Sequence, residues 1–572
     1  MINKLIKLLL VVLLIFVFLG KEVEASSYKV KKDSKSFSKT LEAKAGQALI
    51  IEVKHANVKI IGTKANRLSI KALLEVESSL HDYMREYLDQ SKWEVKTTTN
   101  GYLLRLDCPK VKSLRGLGRV AFGKSSEVEI SLPSKYSIDL TNAYGDINIR
   151  DVSGEIKVRN RSGEINISRC GGVLDLRNSY ADVNIANFTG SVEVNNSSGP
   201  VTLENITGGA QINSSYKPIQ FDNIKGSLNI KTQSSTVSGQ KVGGDCYIKT
   251  SYKSVEVSDI SGKLEVFAHS SSVTVEGVKK SALIENSYDP VKVTNVTGSL
   301  TIKGNSSAVE VRSIEKDVTI KTSYKTVKIE KIGGKLKVDT NSCPVSASDI
   351  KEDTEINASY KEVKVENIDG SLKVDAHSAP VSVYNIGGKT DITSSYKNVK
   401  VKQIKGALSI KAPSGQVSVK NAQENVTILS KYKPIEITNV KGNLEVDGNS
   451  CSVLADNITG DIYITNSYKY VILKNTSGSI TVKGASSPIE VSKINKLPEN
   501  GKIDLQTTYK KIDLTLPSGS DVQISAYSKY GKIESDFPVY LNGSQEELQA
   551  KKKNGNVTVR LKTSGSIVIK EE

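Results

Sequence analysis

Bulky side chains are scarce in this 572-residue chain, which holds 1 Trp, 2 Met and 8 Phe, with aromatic residues only 6% of the whole. A globular enzyme of this length would carry more large residues in its core, so an ordinary multidomain layout is not expected. What remains suits a thin core of many small β-branched residues, as a solenoid provides. Histidine is equally rare: His55, His81, His269 and His377 are all there are. The last two occupy one position of the repeat described below, on the order of 30 Å apart at ~4.8 Å per coil, so they cannot converge on a metal or a nucleophile. No metal and no cofactor is expected. Cysteines are 5. Cys343 and Cys451 are separated in the same way, and Cys170 and Cys246 lie about four coils apart. A disulfide needs Cα atoms within about 7 Å, so the thiols are expected to be free and mostly buried, with Cys108 outside the repeats.

Long apolar runs are absent except at the start. Lys4 and Lys7 precede the unbroken stretch Leu8 to Leu19, and Val23-Glu24-Ala25 offers a small-residue cleavage site before Ser26. This is the pattern of a secretory signal peptide over residues 1–25. The run is short of the roughly 20 residues of a spanning helix, and an uncleaved anchor is the alternative. An exported protein of the cell envelope, cell surface or extracellular space is expected, with its attachment open. Acidic residues are the minority: the net charge is +17, or +16 once residues 1–25 (three Lys, two Glu) are removed.

What is present is a repeat. Tyr144, Tyr180, Tyr216, Tyr252, Tyr288, Tyr324, Tyr360, Tyr396, Tyr432 and Tyr468 follow one another at 36 residues without a slip. A serine stands 18 residues after each, from Ser162 to Ser486, so the unit is 18 residues in two alternating flavours. Apolar residues fall at offsets 3, 5, 8, 12 and 14, as in Val363, Val365, Ile368, Leu372 and Val374 after Tyr360, with polar residues between. That is period-2 alternation in two short strands. Asn or Asp recurs at offset 7 and Gly at offset 10, where a turn with positive φ is expected. A unit this short buries its apolar face only by stacking on its neighbours. The fold class is therefore all-β: a parallel β-solenoid of about twenty coils, on the order of 100 Å long at ~4.8 Å each. A left-handed hexapeptide helix would place apolar residues every sixth position, so a right-handed or flattened solenoid is favoured.

The domains expected are residues 26–135 as an N-terminal cap with first coils, 136–495 as regular repeats, and 496–572 as irregular coils and a C-terminal cap. The caps cover strand edges that would otherwise aggregate. The first holds one short helix, with Ser79 and Asp82 as a capping-box-like start and a stripe of Leu80, Tyr83, Met84, Tyr87 and Leu88. At the other end Gln545 to Lys553 breaks the pattern before a last strand pair over Val557 to Ile569.

Leu132-Pro133-Ser134 with Ile138-Asp139-Leu140, then Gly145-Asp146-Ile147 and Ser153-Gly154-Glu155-Ile156, form one recurring pattern. Leu516-Pro517-Ser518-Gly519 and Thr563-Ser564-Gly565-Ser566-Ile567 form another. Through these the chain resembles a bacterial family of β-strand repeat (β-helix) proteins labelled adhesins, a domain family of unknown function. The resemblance spans nearly the whole mature chain. It implies a right-handed β-helix in or outside the envelope, and some relatives are linked to envelope stress.

Catalytic motifs are weak. Gly118, Gly123, Lys124 and Ser125 have phosphate-loop spacing, but an alternating strand through Val128, Ile130 and Leu132 follows where a helix is required. Asn187, Asn205, Asn295 and Asn457 precede glycosylation-type triplets, which turns explain better. The repeats carry no insertion from Tyr144 to Ser486 that could wall the groove of a carbohydrate-active β-helix enzyme. No enzyme is expected. The candidate site is an edge of tyrosines each followed by lysine: Tyr216-Lys217, Tyr252-Lys253, Tyr324-Lys325, Tyr360-Lys361, Tyr396-Lys397, Tyr432-Lys433 and Tyr468-Lys469. Facing outward, these rings and ammonium groups would bind anionic envelope or extracellular polymers; facing inward, they would only fill a corner. Other envelope proteins are further partners, no specific nucleic acid is expected, and the oligomeric state is open. The alternative is a passive spacer or envelope-stress scaffold, for which lysine merely keeps a long sheet soluble.

Overall fold

The structure, a computed structural model, describes residues 30–111, 122–497, 499–537 and 546–572. The expected signal peptide, Gly118 and Gln545 lie outside the described residues. The chain divides into two compact units, Met1–Asn166 and Ile167–Glu572.

The first unit opens with β1 (Lys31–Glu42), β2 (Ala48–Glu52), β3 (Ala56–Thr63) and β4 (Arg67–Ser78). Helix α1 (His81–Gln90) follows, then β5 (Lys92–Thr98), β6 (Gly101–Asp107) and β7 (Phe122–Pro133). Strands β8 (Ser137–Thr141), β9 (Ile147–Arg150) and β10 (Ser153–Arg159) come next. They form two sheets, β1-β4-β7-β3-β9 and β5-β6-β2-β8-β10. The inner pairs run parallel except β4 with β7, which is antiparallel. The outermost pairs, β1 with β4 and β5 with β6, are antiparallel. The terminal strand β1 carries Lys31, Lys32, Lys35 and Lys39 on a mostly exposed ribbon, which discourages further strand addition.

Helix α1 buries Met84, Tyr87 and Leu88 against Leu74 and Val76 of β4, with Leu106, Cys108 and Phe122 at the margin. Its expected start needs correction. The cap residue is Leu80, which makes no side-chain cap bond. The Ser78 hydroxyl instead accepts from the Leu80 N–H at 3.0 Å, so the strand end and not a capping box sets the first turn. At the other end Lys35 Nζ donates to the carbonyls of Leu88 and Ser91 at 2.9 and 2.8 Å, a cation on the negative pole of the helix. Gly123, Lys124 and Ser125 sit in β7, paired with Glu77, Val76 and Glu75 of β4.

The second unit is the solenoid. Each coil gives one strand to each of two parallel sheets, and the register is one repeat as far as Ile494: Val291, Val309, Val327, Val345 and Val363 stack in one ladder. In the other sheet Leu300, Val318, Leu336, Thr354 and Leu372 do the same. The apolar offsets all face inward, with Val327, Ile329, Ile332, Leu336 and Val338 each no more than 1% exposed. Cys170, Cys246, Cys343 and Cys451 form no disulfide and are buried, and burial pushes the Cys246 thiol up to about 12.

One residue before the end of the first strand of a coil, the residue at offset 7 is left-handed: φ is 58° at Asn223, 59° at Asn295, 56° at Asn367 and 61° at Asn439. Asn tolerates this conformation better than other residues with a Cβ. The four asparagines of the glycosylation-type triplets all hold such turns. The glycines at offset 10 have a different reason from the one expected. None from Gly226 to Gly478 has positive φ; the coil below simply comes too close. A Cβ on Gly298 would lie 2.5 Å from the Lys280 carbonyl carbon, and one on Gly442 would lie 2.4 Å from that of Glu424. Gly442→Ala is therefore expected to cost about 1–3 kcal/mol, as overpacked sites do, read from a thermal melt; a neutral result would show that the coils can part.

The C-terminal order departs from the chain order. Val557–Thr563 pairs on one side with Lys502–Gln506 and on the other with Val522–Ser528. Ile567–Glu571 likewise lies between Ile512–Leu516 and Ile533–Ser535. The last strand pair is thus an inner layer, and Glu547–Lys552, antiparallel to Val522–Ser528, closes one sheet.

Candidate ligand edge

The tyrosine corner begins with a buried residue two positions before the ring. Ser214, Thr250, Asn286, Thr322, Ser394, Ser430 and Asn466 hold this place, with Ala358 as the apolar exception. Asn286 Nδ2 donates to the Ser271 carbonyl of the coil below at 2.9 Å and to the Asp289 carbonyl of its own turn at 2.7 Å. Asn466 repeats this with the carbonyls of Cys451 and Lys469, both at 2.8 Å. Ser394 Oγ does so with Ala379 and Lys397 at 3.0 and 3.3 Å. In these coils the clamp ties the anchor to the coil below and to the residue after the tyrosine; in every coil the anchor points inward, so the two residues after it swing out.

In the intervening coils the inward residue comes one position after the serine instead. Ser235, Ser271, Ser307, Cys343, Ala379, Cys451 and Ser487 are all 0% exposed. Ser307 Oγ and Ser487 Oγ reach back to the carbonyls of Asn286 and Asn466 at 2.9 and 3.1 Å. The 36-residue period is thus the alternation of two ways to fill one corner. These small residues are core, not an outer shelf beneath the rings.

What lies beneath each ring is the residue nineteen earlier in sequence. The backbone N–H of Tyr252 donates to the Gln233 carbonyl at 3.1 Å, that of Tyr360 to Asn341 at 3.2 Å, and that of Tyr468 to Asn449 at 3.0 Å. The corresponding neighbours of Tyr288 and Tyr396 are His269 and His377, whose rings meet the tyrosines edge-on with centroids 5.2 and 5.5 Å apart. In the first unit His55 stacks on Tyr144 at 4.8 Å, and burial together with Lys124 and Lys54 holds its pKa below the usual value. His55, His269 and His377, expected to be isolated, are thus partners of the tyrosines. The carbonyl-clamping residues were missed as well, although Ser, Thr or Asn recurring at one inward offset among aliphatics was a legible signal.

All seven candidate tyrosines face out: Tyr216, Tyr252, Tyr324, Tyr360, Tyr396, Tyr432 and Tyr468 are 51–61% exposed. Lys217, Lys253, Lys325, Lys361, Lys397, Lys433 and Lys469 are exposed beside them. None forms an ion pair with a carboxylate among the described residues, whereas the lysines on the sheet faces do, as Lys337 and Lys373 with Glu355. Rings on every second coil stand about 10 Å apart, beyond the 4.5–7 Å at which aromatic pairs interact, so each keeps its faces free. No cluster of three or more His, Cys, Asp or Glu able to hold a metal occurs among the described residues.

A solenoid of this kind with an outward aromatic and cationic edge has relatives. The Toastrack DUF4097 family is matched over residues 47–303 and 399–570, well over half of the chain, and the chain belongs to that family. No curated protein matches it. Among solved structures, one described as a "putative cell adhesion protein" from Clostridium sporogenes is similar, at 13% identity over 43% of this chain and 100% of that one, with a TM-score of 0.17.

Proposed function

We propose that this is a non-enzymatic, exported interaction protein of the envelope or cell surface, whose tyrosine–lysine edge binds anionic envelope or extracellular polymers. The observation that carries the reading is the row of eight exposed rings from Tyr216 to Tyr468, seven of them (all but Tyr288) beside a lysine with no carboxylate partner among the described residues. A sugar ring can lie on a tyrosine face, while the ammonium groups attract and hold an anionic backbone. A protein serving only as a spacer has no need of either. Replacing Lys325, Lys361 and Lys397 together by Ser should weaken binding to polygalacturonate at least tenfold and flatten its salt dependence. Replacing Tyr324, Tyr360 and Tyr396 by Ser should weaken binding with little change in melting temperature, because the rings are outside. Unchanged polygalacturonate affinity in both variants, measured by calorimetry, would leave the spacer reading in its place.

A further inference from the structure

The left-handed corner, on the opposite side of each coil from the tyrosines, is concave. Between Asn385 and Thr459 it forms a trough of about 710 Å³. One wall is a row of amides from five successive coils: Asn385, Gln403, Asn421, Asn439 and Asn457. Three are chained, Asn439 Nδ2 donating to Asn421 Oδ1 and Asn457 Nδ2 to Asn439 Oδ1, both at 2.8 Å. Such a chain orients the amides and polarises them in one direction, leaving further donor and acceptor capacity on each coil. The facing wall carries Lys405 and Lys441 two coils apart. No carboxylate lines this stretch, although the same corner nearer the N-terminus includes Asp259, Glu315 and Asp349. Neither lysine forms an ion pair among the described residues.

We propose that this trough binds an unbranched glycan carrying an anionic group on every second sugar. The amides supply paired donors and acceptors for hydroxyl or acetamido groups at each coil, ~4.8 Å apart. The two lysines place positive charge only about every 10 Å, which matches alternating rather than continuous charge along the ligand. The site shares no residue with the tyrosine edge and does not rest on it.

The test uses the full chain with its signal peptide removed and hyaluronan oligosaccharides, whose charge falls on alternate sugars. The variant K405Q/K441Q should lose at least tenfold in affinity. The variant N421G/N439G, which keeps the left-handed backbone available while deleting two amides, should lose as much and melt as the parent does. The edge variant Y324S/Y360S/Y396S should stay within twofold of the parent, so failure of the tyrosine edge and failure of the trough are separate results. Absence of hyaluronan binding by the parent, or equal binding by the parent and both trough variants, overturns the proposal. Loss confined to the edge variant overturns it too and assigns the glycan to the tyrosines.

Discussion

Removing Tyr252–Ser287 leaves a folded solenoid about 10 Å shorter, whereas removing Ser271–Ser287, one residue less than a coil, unfolds its surroundings. The first deletion takes out one full alternation, so Val237 acquires Val291 as its ladder neighbour and both corner types keep their order. The second moves every later residue by one place. Pro290 and Lys292 then occupy the seats of Val273 and Val275, which are 1% and 0% exposed between the ladders above and below. A lysine in that seat is a buried charge without a partner, and the slip turns every following apolar residue outward. Removing the single coil Ser270–Ser287 separates register from corner chemistry: pairing survives, but two tyrosine corners meet on adjacent coils, and stability should fall between the other two. Circular dichroism melts with small-angle scattering read both stability and length. Equal melting of the longest and shortest deletions would refute the stacked-coil architecture.

Asn286→Leu is the point substitution with the largest expected effect at the edge. Leucine fits the volume but leaves the carbonyls of Ser271 and Asp289 without the donor they share. Each buried group left unmade costs about 1–3 kcal/mol, so a loss of about 3 kcal/mol or more is expected at this corner. Stability in a stacked repeat is a sum of local terms, so hydrogen exchange should show the loss centred on the coils around Tyr288 and little change several coils away. Asn286→Ser is the control, because Ser394 makes the same pair of bonds from that seat in another coil. If the leucine and serine variants exchange alike, the clamp does not hold the corner.

The inward positions were legible because alternation within a strand is a hard constraint: one face has to leave water. Val363, Val365, Leu372 and Val374 could be assigned from spacing alone, and their register follows once the period is known. The outward tyrosines were not legible in this way. They sit in a turn of the type Ser-Tyr-Lys, where no alternation tells in from out, and the deciding residue is the buried anchor two positions earlier. The same gap hid the inward direction of Ser235, Cys343 and Ala379. Glycine at offset 10 was read through its conformational freedom when the cause is the backbone of another coil, which no local sequence reveals. The amide row of the trough looked like turn chemistry, which it is; its concavity needs the neighbouring coils. The order of the last strands was beyond reach because Val557 to Ile569 alternates like any other layer, and alternation does not say which layers are neighbours.

That final arrangement gives the two ends of the second unit different histories. Coils from residue 167 onward can settle one upon another in the order in which they leave the ribosome or a translocation channel. The segment 522–535 cannot: its seat does not exist until 557–571 has slipped in beneath it. The tail of the chain is therefore a keystone rather than a lid. A nonsense change just before residue 557 would subtract very little mass, yet it would remove a floor from inside the building and leave the storey above with nothing to stand on.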